Sequence, residues 1–136
     1  MKVLSLFDGI SCGMLALQRA GIPVECYDAF EIDKYAVTVS KRNFPVIVHH
    51  GNVYDGDFTQ FQGYDLLLGG SPCTYWSIAK KDREVDCNGE GFRLFKEYVR
   101  ALEESGCKYF LYENNYSVHQ NIKDEITSCL LYTSDA

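Results

Sequence analysis

A parallel α/β sheet with helices on both faces is the fold this sequence predicts, and three observations predict it. The hydrophobic period switches between β-like and helical along the whole chain. One apolar run, "YDLLLGG" (64–70), has no polar alternation, as expected for a strand buried on both faces. The polar residues that interrupt the pattern (Asp8 and Gly9, Glu31 and Asp33, Asn52, Ser71 to Thr74, Glu113 to Asn115) fall at the ends of predicted strands, where open parallel sheets hold ligands.

The elements follow in order. "KVLSLF" (2–7) is a short β-rich run that stops at Asp8-Gly9. The stretch 12–21 is helical, with Ile10, Met14 and Leu17 at one-face spacing and Gly21 as its stop. Residues 24–32 read as a strand. Residues 33–44 read as a helix with Ile32, Tyr35, Ala36 and Val39 on its core face, closed by Asn43 and Pro45. "VIVHH" (46–50) is a third strand and 64–70 a fourth. The clearest helix is 91–106, whose core side is Phe92, Phe95, Val99 and Leu102 and whose end is Gly106. "KYFLYEN" (108–114) is a fifth strand, and a last helix begins near Ser117. This order is βαβ grammar.

Composition narrows the function classes. A chain of 136 residues is one domain at most, and 46% hydrophobic content argues against disorder. No apolar run approaches the roughly 20 residues of a membrane span. The N-terminus lacks a cleavage signature, so the expected compartment is cytoplasmic. Six cysteines (12, 26, 73, 87, 107, 129) include no C-x-x-C pair and no histidine at ligand spacing, so no metal site is expected. A net charge of −6 argues against the whole chain acting as a nucleic-acid clamp, although it leaves room for a catalytic part gripped elsewhere.

The strand ends would build one pocket. In "FDGISCG", Gly9 and Gly13 allow a sharp turn and close backbone approach. They are four apart and do not make the dinucleotide G-x-G-x-x-G. Glu31 is placed to accept from two ribose hydroxyls, or is a solvated strand-end acid. Asn52 faces an adenine edge, or is an ordinary turn asparagine. Cys73 is different in kind: two glycines let the chain turn away from a buried strand, and Pro72 fixes the backbone that aims the thiol. If the strands ending at Gly70 and Glu113 are neighbours, they lie roughly 5 Å apart. Cys73 and Glu113 would then share a pocket as nucleophile and acid.

These residues carry a resemblance. "LFDGISCG" resembles the S-adenosylmethionine turn of the cytosine carbon-5 DNA methyltransferases, and "EIDKYA" their ribose-binding segment. "GNV" stands where that family often has Gly-Asp-Val, "GGSPC" resembles the Pro-Cys nucleophile loop, and "YENN" resembles the Glu-Asn-Val motif. The motifs arrive in family order over residues 3 to about 127, with a spelling closer to the phage and de novo branch. The resemblance implies a Rossmann-like methyltransferase fold and S-adenosylmethionine as cofactor. It implies contacts from Phe7, Asp8, Gly9, Ile10, Gly13, Glu31, Ile32, Asn52, Val53, Ser71 and Pro72. It makes Cys73 the nucleophile towards carbon 6 of a flipped cytosine in DNA and Glu113 the group on ring nitrogen 3, with Pro72 and Asn114 completing the two catalytic motifs. Such enzymes act with a cognate restriction nuclease or in a phage setting. Asn52 departs from the usual aspartate, Thr74 from glutamine or asparagine, and Asn115 from valine. Lys80, Lys81 and Arg83 follow the nucleophile loop and would meet phosphates or water.

Family segments that normally follow are not in the sequence: a Gln-x-Arg-x-Arg run, a target-recognition region and a returning helix. Residues 1–128 are accordingly expected to be a partial catalytic domain whose sheet stops before its last strands. Residues 129–136, "CLLYTSDA", resemble a translated sequencing adapter more than a protein segment. The truncated chain is expected not to turn over. Two other readings remain: a non-catalytic cofactor-binding stub or half of a split enzyme, and an RNA cytosine methyltransferase.

Overall fold

The computed structural model describes residues 1–77 and 80–135, without the side chains of Cys73 and of 132–135. Five parallel strands form one sheet: β1 (Lys2–Leu6), β2 (Cys26–Phe30), β3 (Val48–His49), β4 (Leu66–Gly69) and β5 (Tyr109–Tyr112). Their spatial order is β3-β2-β1-β4-β5. The chain first builds outwards from β1 to β3, then returns to the other side of β1. The point where the direction reverses lies between β1 and β4, and a crevice opens there beyond the strand ends.

Alternation along each strand sorts the core into two layers. Val3, Tyr27, Ala29, Leu66 and Leu68 point to one face and pack with Met14 and Leu17 of α1 (Cys12–Arg19). Leu4, Leu6, Phe30 and Leu67 point to the other and pack with Tyr98, Ala101 and Leu102 of α3 (Glu90–Ser105). A third cluster joins α3 to α4 (Gln120–Asp135) through Phe95, Val99, Ile122 and Ile126, around a fully buried Trp76. Each large apolar side chain removed from water in this way contributes about 1.5–3 kcal/mol. Gly106 ends α3 with a positive φ of 64°, a conformation that glycine adopts without steric cost.

Three short 3₁₀ turns, not evident in the hydrophobic pattern, complete the connections: Val53–Asp55, Phe58–Phe61 and Cys73–Tyr75. Arg100 of α3 clamps the first two. Its guanidinium donates to the carbonyls of Val53 (3.0 Å) and Gly56 (2.8 Å) and lies over the Phe58 ring. Glu97 and Glu104 hold the same group from either side along the helix.

Two expected core faces differ from the structure. Ile10 lies in the turn before α1 and is half exposed. In α2 (Lys34–Asn43), Ile32 and Tyr35 are both 73% exposed and Val39 is exposed too, while the inward side is Ala36, Val37 and a fully buried Ser40. The reason is polar: the Ser40 hydroxyl bonds Ser11 and lies 3.4 Å from His49 Nε2, so hydrogen bonding selects the helix face here. Asp33 caps the helix, accepting from the N–H groups of Tyr35 and Ala36. The third strand is also shorter than the apolar run 46–50, because Val46 lies outside the ladder and is exposed.

His49 carries a pH dependence. Burial lowers its pKa, Lys41 and His50 lower it further, and Asp8 opposes them. Its Nδ1 is buried without a partner, which suits a neutral ring. A histidine whose folded pKa lies below its unfolded value of about 6.5 gives stability that is present above that pH. That stability is lost as pH falls through the depressed folded value. Urea midpoints should therefore decline between pH 7.5 and pH 5, and His49→Asn should flatten the decline. An identical profile in the variant would show that another group titrates.

Candidate functional site

The turn after β1 is held in an unfavourable backbone form. Phe7, Gly9 and Ser11 have φ of 56°, 60° and 70°. For a bulky residue such as Phe7 this is a true outlier, costing about 1–3 kcal/mol. The Asp8 carboxylate holds it: it accepts from the hydroxyls of Ser5 (2.6 Å), Tyr27 (2.6 Å) and Ser11. Burial raises the Tyr27 pKa and Asp8 raises it further, so the phenol stays a donor. Asp8, expected among the cofactor contacts, thus has both carboxylate oxygens engaged inside the protein. Ser11 passes the network on to Ser40 and so to α2.

Glu31 locks the next strand end to this turn. One oxygen accepts from the Gly9 N–H at 2.8 Å and the other from the Asp33 N–H at 3.0 Å. The carboxylate is therefore fixed while keeping lone pairs for a ligand.

Beyond these ends lies a cavity of about 430 Å³, within the range of small-molecule sites. Phe7, Phe30, Glu31 and Ile32 form one wall, and Asn52, Val53 and Tyr54 form the next. Pro72, Thr74 and Tyr75 close it from the loop after β4, and Glu90 and Leu94 close it from α3. Six sequence candidates meet there: Phe7, Glu31, Ile32, Asn52, Val53 and Pro72. Thr74 also falls among the strand-end residues of the sequence pattern, whereas Glu90 and Leu94 give no advance signal, since they are separated from the motifs in sequence and only the packing of α3 brings them in. Asn52 caps the turn Val53–Asp55 by accepting the Tyr54 N–H at 3.0 Å. Its carbonyl oxygen has a second lone pair for a ligand donor.

A second cavity, about 200 Å³, lies between the ends of β1, β4 and β5 and takes in Asp8, Gly13, Gly70 and Glu113. Phe7 borders both cavities. Gly13 is bare for packing reasons, because a Cβ there would lie 2.9 Å from the Tyr27 hydroxyl and from Leu68.

The loop that carries Cys73 is braced on both sides. β4 and β5 pair with Gly69 opposite Tyr112, and the Glu113 N–H donates to the Gly69 carbonyl at 2.9 Å. Ser71 is buried and bonds the Tyr112 hydroxyl at 2.6 Å. The Asn114 amide donates to the Ser71 carbonyl and the Tyr112 hydroxyl, each at 3.1 Å. Ser71 and Asn114 therefore act on the backbone around the site. Cys73 opens the turn Cys73–Tyr75, and its side chain lies outside the described atoms. On the far side, the Glu84 N–H donates to the Tyr75 carbonyl, and the Glu84 carboxylate accepts from the N–H groups of Glu90 and Gly91 at 3.0 Å, capping α3. Arg83, a candidate phosphate contact, donates to the Ser117 carbonyl at 2.8 Å, while Lys80 lies over the Tyr75 ring. Glu113 is exposed at the end of β5. Among the described residues no group of histidines, cysteines and acids forms a metal site, and no helix is long and apolar enough to cross a membrane.

A doubly wound parallel sheet with a cavity beyond its strand ends, a fixed carboxylate after β2 and a cysteine-bearing loop after β4 is the arrangement of a methyltransferase-type α/β domain. The sequence profile of the C-5 cytosine-specific DNA methylases matches residues 1–131, and the chain belongs to that family. It is 38% identical over 118 residues to the orphan methyltransferase M.SPRI of Bacillus phage SPR, covering 84% of this chain and 26% of that protein. It is 34% identical over 116 residues to the type II methyltransferase M.HgiCII of Herpetosiphon aurantiacus, covering 83% and 25%. The chain thus spans about a quarter of the length of these relatives. The fold superposes on Spodoptera frugiperda DNMT2 with a TM-score of 0.72 at 21% identity, over 98% of this chain and 40% of that one. Schizosaccharomyces pombe Dnmt2 gives 0.71 at 19%, over 98% and 39%.

Gly70 tests the bracing. A Cβ there would lie 2.0 Å from the Glu113 carbonyl oxygen, so the two strand ends meet only because the side chain is missing. Gly70→Ala should lower stability by roughly 1–3 kcal/mol in urea unfolding. An unchanged midpoint would mean that the strand ends separate without cost.

Proposed function

We propose that residues 1–128 supply the cofactor cavity and the nucleophile of a DNA cytosine carbon-5 methyltransferase whose target-recognising part lies outside this chain. The observation that carries the reading is the convergence of Pro72 and Thr74, which flank Cys73, on the cavity that also holds Glu31 and Ile32. The cavity also suits S-adenosylmethionine chemically. Glu31 offers a fixed acceptor for ribose hydroxyls. Phe7, Ile32, Val53 and Leu94 offer apolar faces to a purine.

When bound, S-adenosylmethionine supplies an electrophilic methyl group. The chain's own residues do the rest. Carbon 5 of cytosine is a poor nucleophile until a group adds at carbon 6, and Cys73 is assigned that addition as thiolate. The target base leaves the helix stack to reach it. Glu113 holds ring nitrogen 3 and neutralises the charge that develops on the ring. Ser71, Asn114 and Gly70 hold the two strand ends, and so the backbones that carry Cys73 and Glu113, at a fixed separation.

Trapping tests this. The complete protein should form a denaturation-stable adduct with DNA carrying 5-fluorocytosine, and Cys73→Ser should abolish it. Glu113→Gln should slow methylation by about 10²-fold or more. An adduct that survives Cys73→Ser overturns the nucleophile assignment. A second reading, cofactor binding without turnover, is favoured by the 430 Å³ cavity and the fixed Glu31 acceptor, both of which this chain's residues form by themselves. Calorimetric titration of the 136-residue chain with S-adenosylhomocysteine should then show binding in the absence of DNA.

A further inference from the structure

The larger cavity contains two carboxylates, and the motifs explain only one. Glu31 is held by backbone N–H groups. Glu90, the first residue of α3, reaches the wall formed by Asn52, Val53 and Tyr54. Its Oε1 accepts from the Tyr54 hydroxyl at 2.6 Å, and its Oε2 lies 3.5 Å from Arg93. Tyr54 is in turn tied through its own N–H to Asn52. Asn52 and Glu90 thus both line this cavity with acceptor oxygens, and Tyr54 bonds one through its backbone and the other through its phenol. Burial and the bond to Glu90 push the Tyr54 phenol up to about 12, so it stays a donor.

We infer that Glu90, positioned by Tyr54, is a specificity-determining residue that accepts a hydrogen bond from the exocyclic amino group of the cofactor's purine. The inference rests on the cofactor reading above and extends it to a residue outside the motifs. An amino group has two N–H donors, and this wall offers it two oxygens. The neutral Asn52 supplies one, and the negative charge comes from α3. Fixed acceptors disfavour a ligand that presents an oxygen there, because oxygen would face oxygen. Four features hold the pair in place: the Glu84 cap on the Glu90 and Gly91 N–H groups, the Arg100 clamp on the Val53 carbonyl, the Tyr54 bond, and Leu94 one turn along the helix.

The test is a comparison of two ligands on the 136-residue chain. S-adenosylhomocysteine and S-inosylhomocysteine differ in the purine's amino group, and their affinities are read by calorimetry. A hydrogen bond to an ionised acceptor is worth roughly tenfold to a hundredfold in affinity. The wild-type chain should prefer the adenosine compound by about tenfold or more. Glu90→Ala should reduce the preference to about twofold, with Glu90→Gln and Tyr54→Phe intermediate. Glu90→Gln keeps an oxygen at the site and the helix start intact, so it reads the charge even if the alanine variant fails to fold. Preference unchanged in Glu90→Gln and Tyr54→Phe, or no preference in the wild type, overturns the role of Glu90 and leaves cofactor binding standing. Binding of neither ligand by folded wild-type chain overturns the cofactor reading and this inference together.

Discussion

The site depends on a single carboxylate whose two oxygens are both engaged inside the protein. Asp8 gathers three hydroxyl groups, from its own strand, from the following turn and from β2. Those bonds offset the left-handed backbone of Phe7, Gly9 and Ser11. Without them the turn would relax, Phe7 would leave the border between the two cavities, and the Gly9 N–H would move away from Glu31. The same network reaches Ser40 and decides which face of α2 packs inward. A buried polar network of this kind specifies one arrangement because every alternative leaves a group unsatisfied.

This explains which parts of the fold were legible from the residues. The central strands and α3 were, since burial alone selects their faces: 66–68 is Leu-Leu-Leu, and Phe92, Phe95, Val99 and Leu102 keep a strict helical spacing. The inward face of α2 was not. Ile32, Tyr35 and Val39 form the more apolar stripe, yet hydroxyl bonding turns Ser40 inward and leaves them in water. Periodicity measures hydrophobicity and cannot see a hydrogen-bond partner that lies 29 residues away. The site divides in the same manner. Residues adjacent to a strand end were legible from their position, whereas Glu84, Glu90 and Arg100 act from a helix or loop that only packing brings close.

The two cavities also separate two kinds of task. The larger is lined by apolar faces and fixed acceptors, a surface suited to holding a nucleoside. The smaller lies where Glu113 and Gly70 meet at the ends of β4 and β5. Phe7 borders both. The strained turn therefore places one aromatic ring where a shift in either compartment is felt in the other.

The Glu84 contacts have a consequence for local opening. One residue joins the Tyr75 carbonyl by its backbone and the first two amides of α3 by its side chain. Fraying of the first helical turn and release of the turn Cys73–Tyr75 are then coupled. The amide protons of Glu84, Glu90 and Gly91 share one opening reaction and exchange with solvent deuterium at a common opening free energy, set apart from the interior of α3. Tyr75 and the first turn of α3 are thus tied to each other through a single residue.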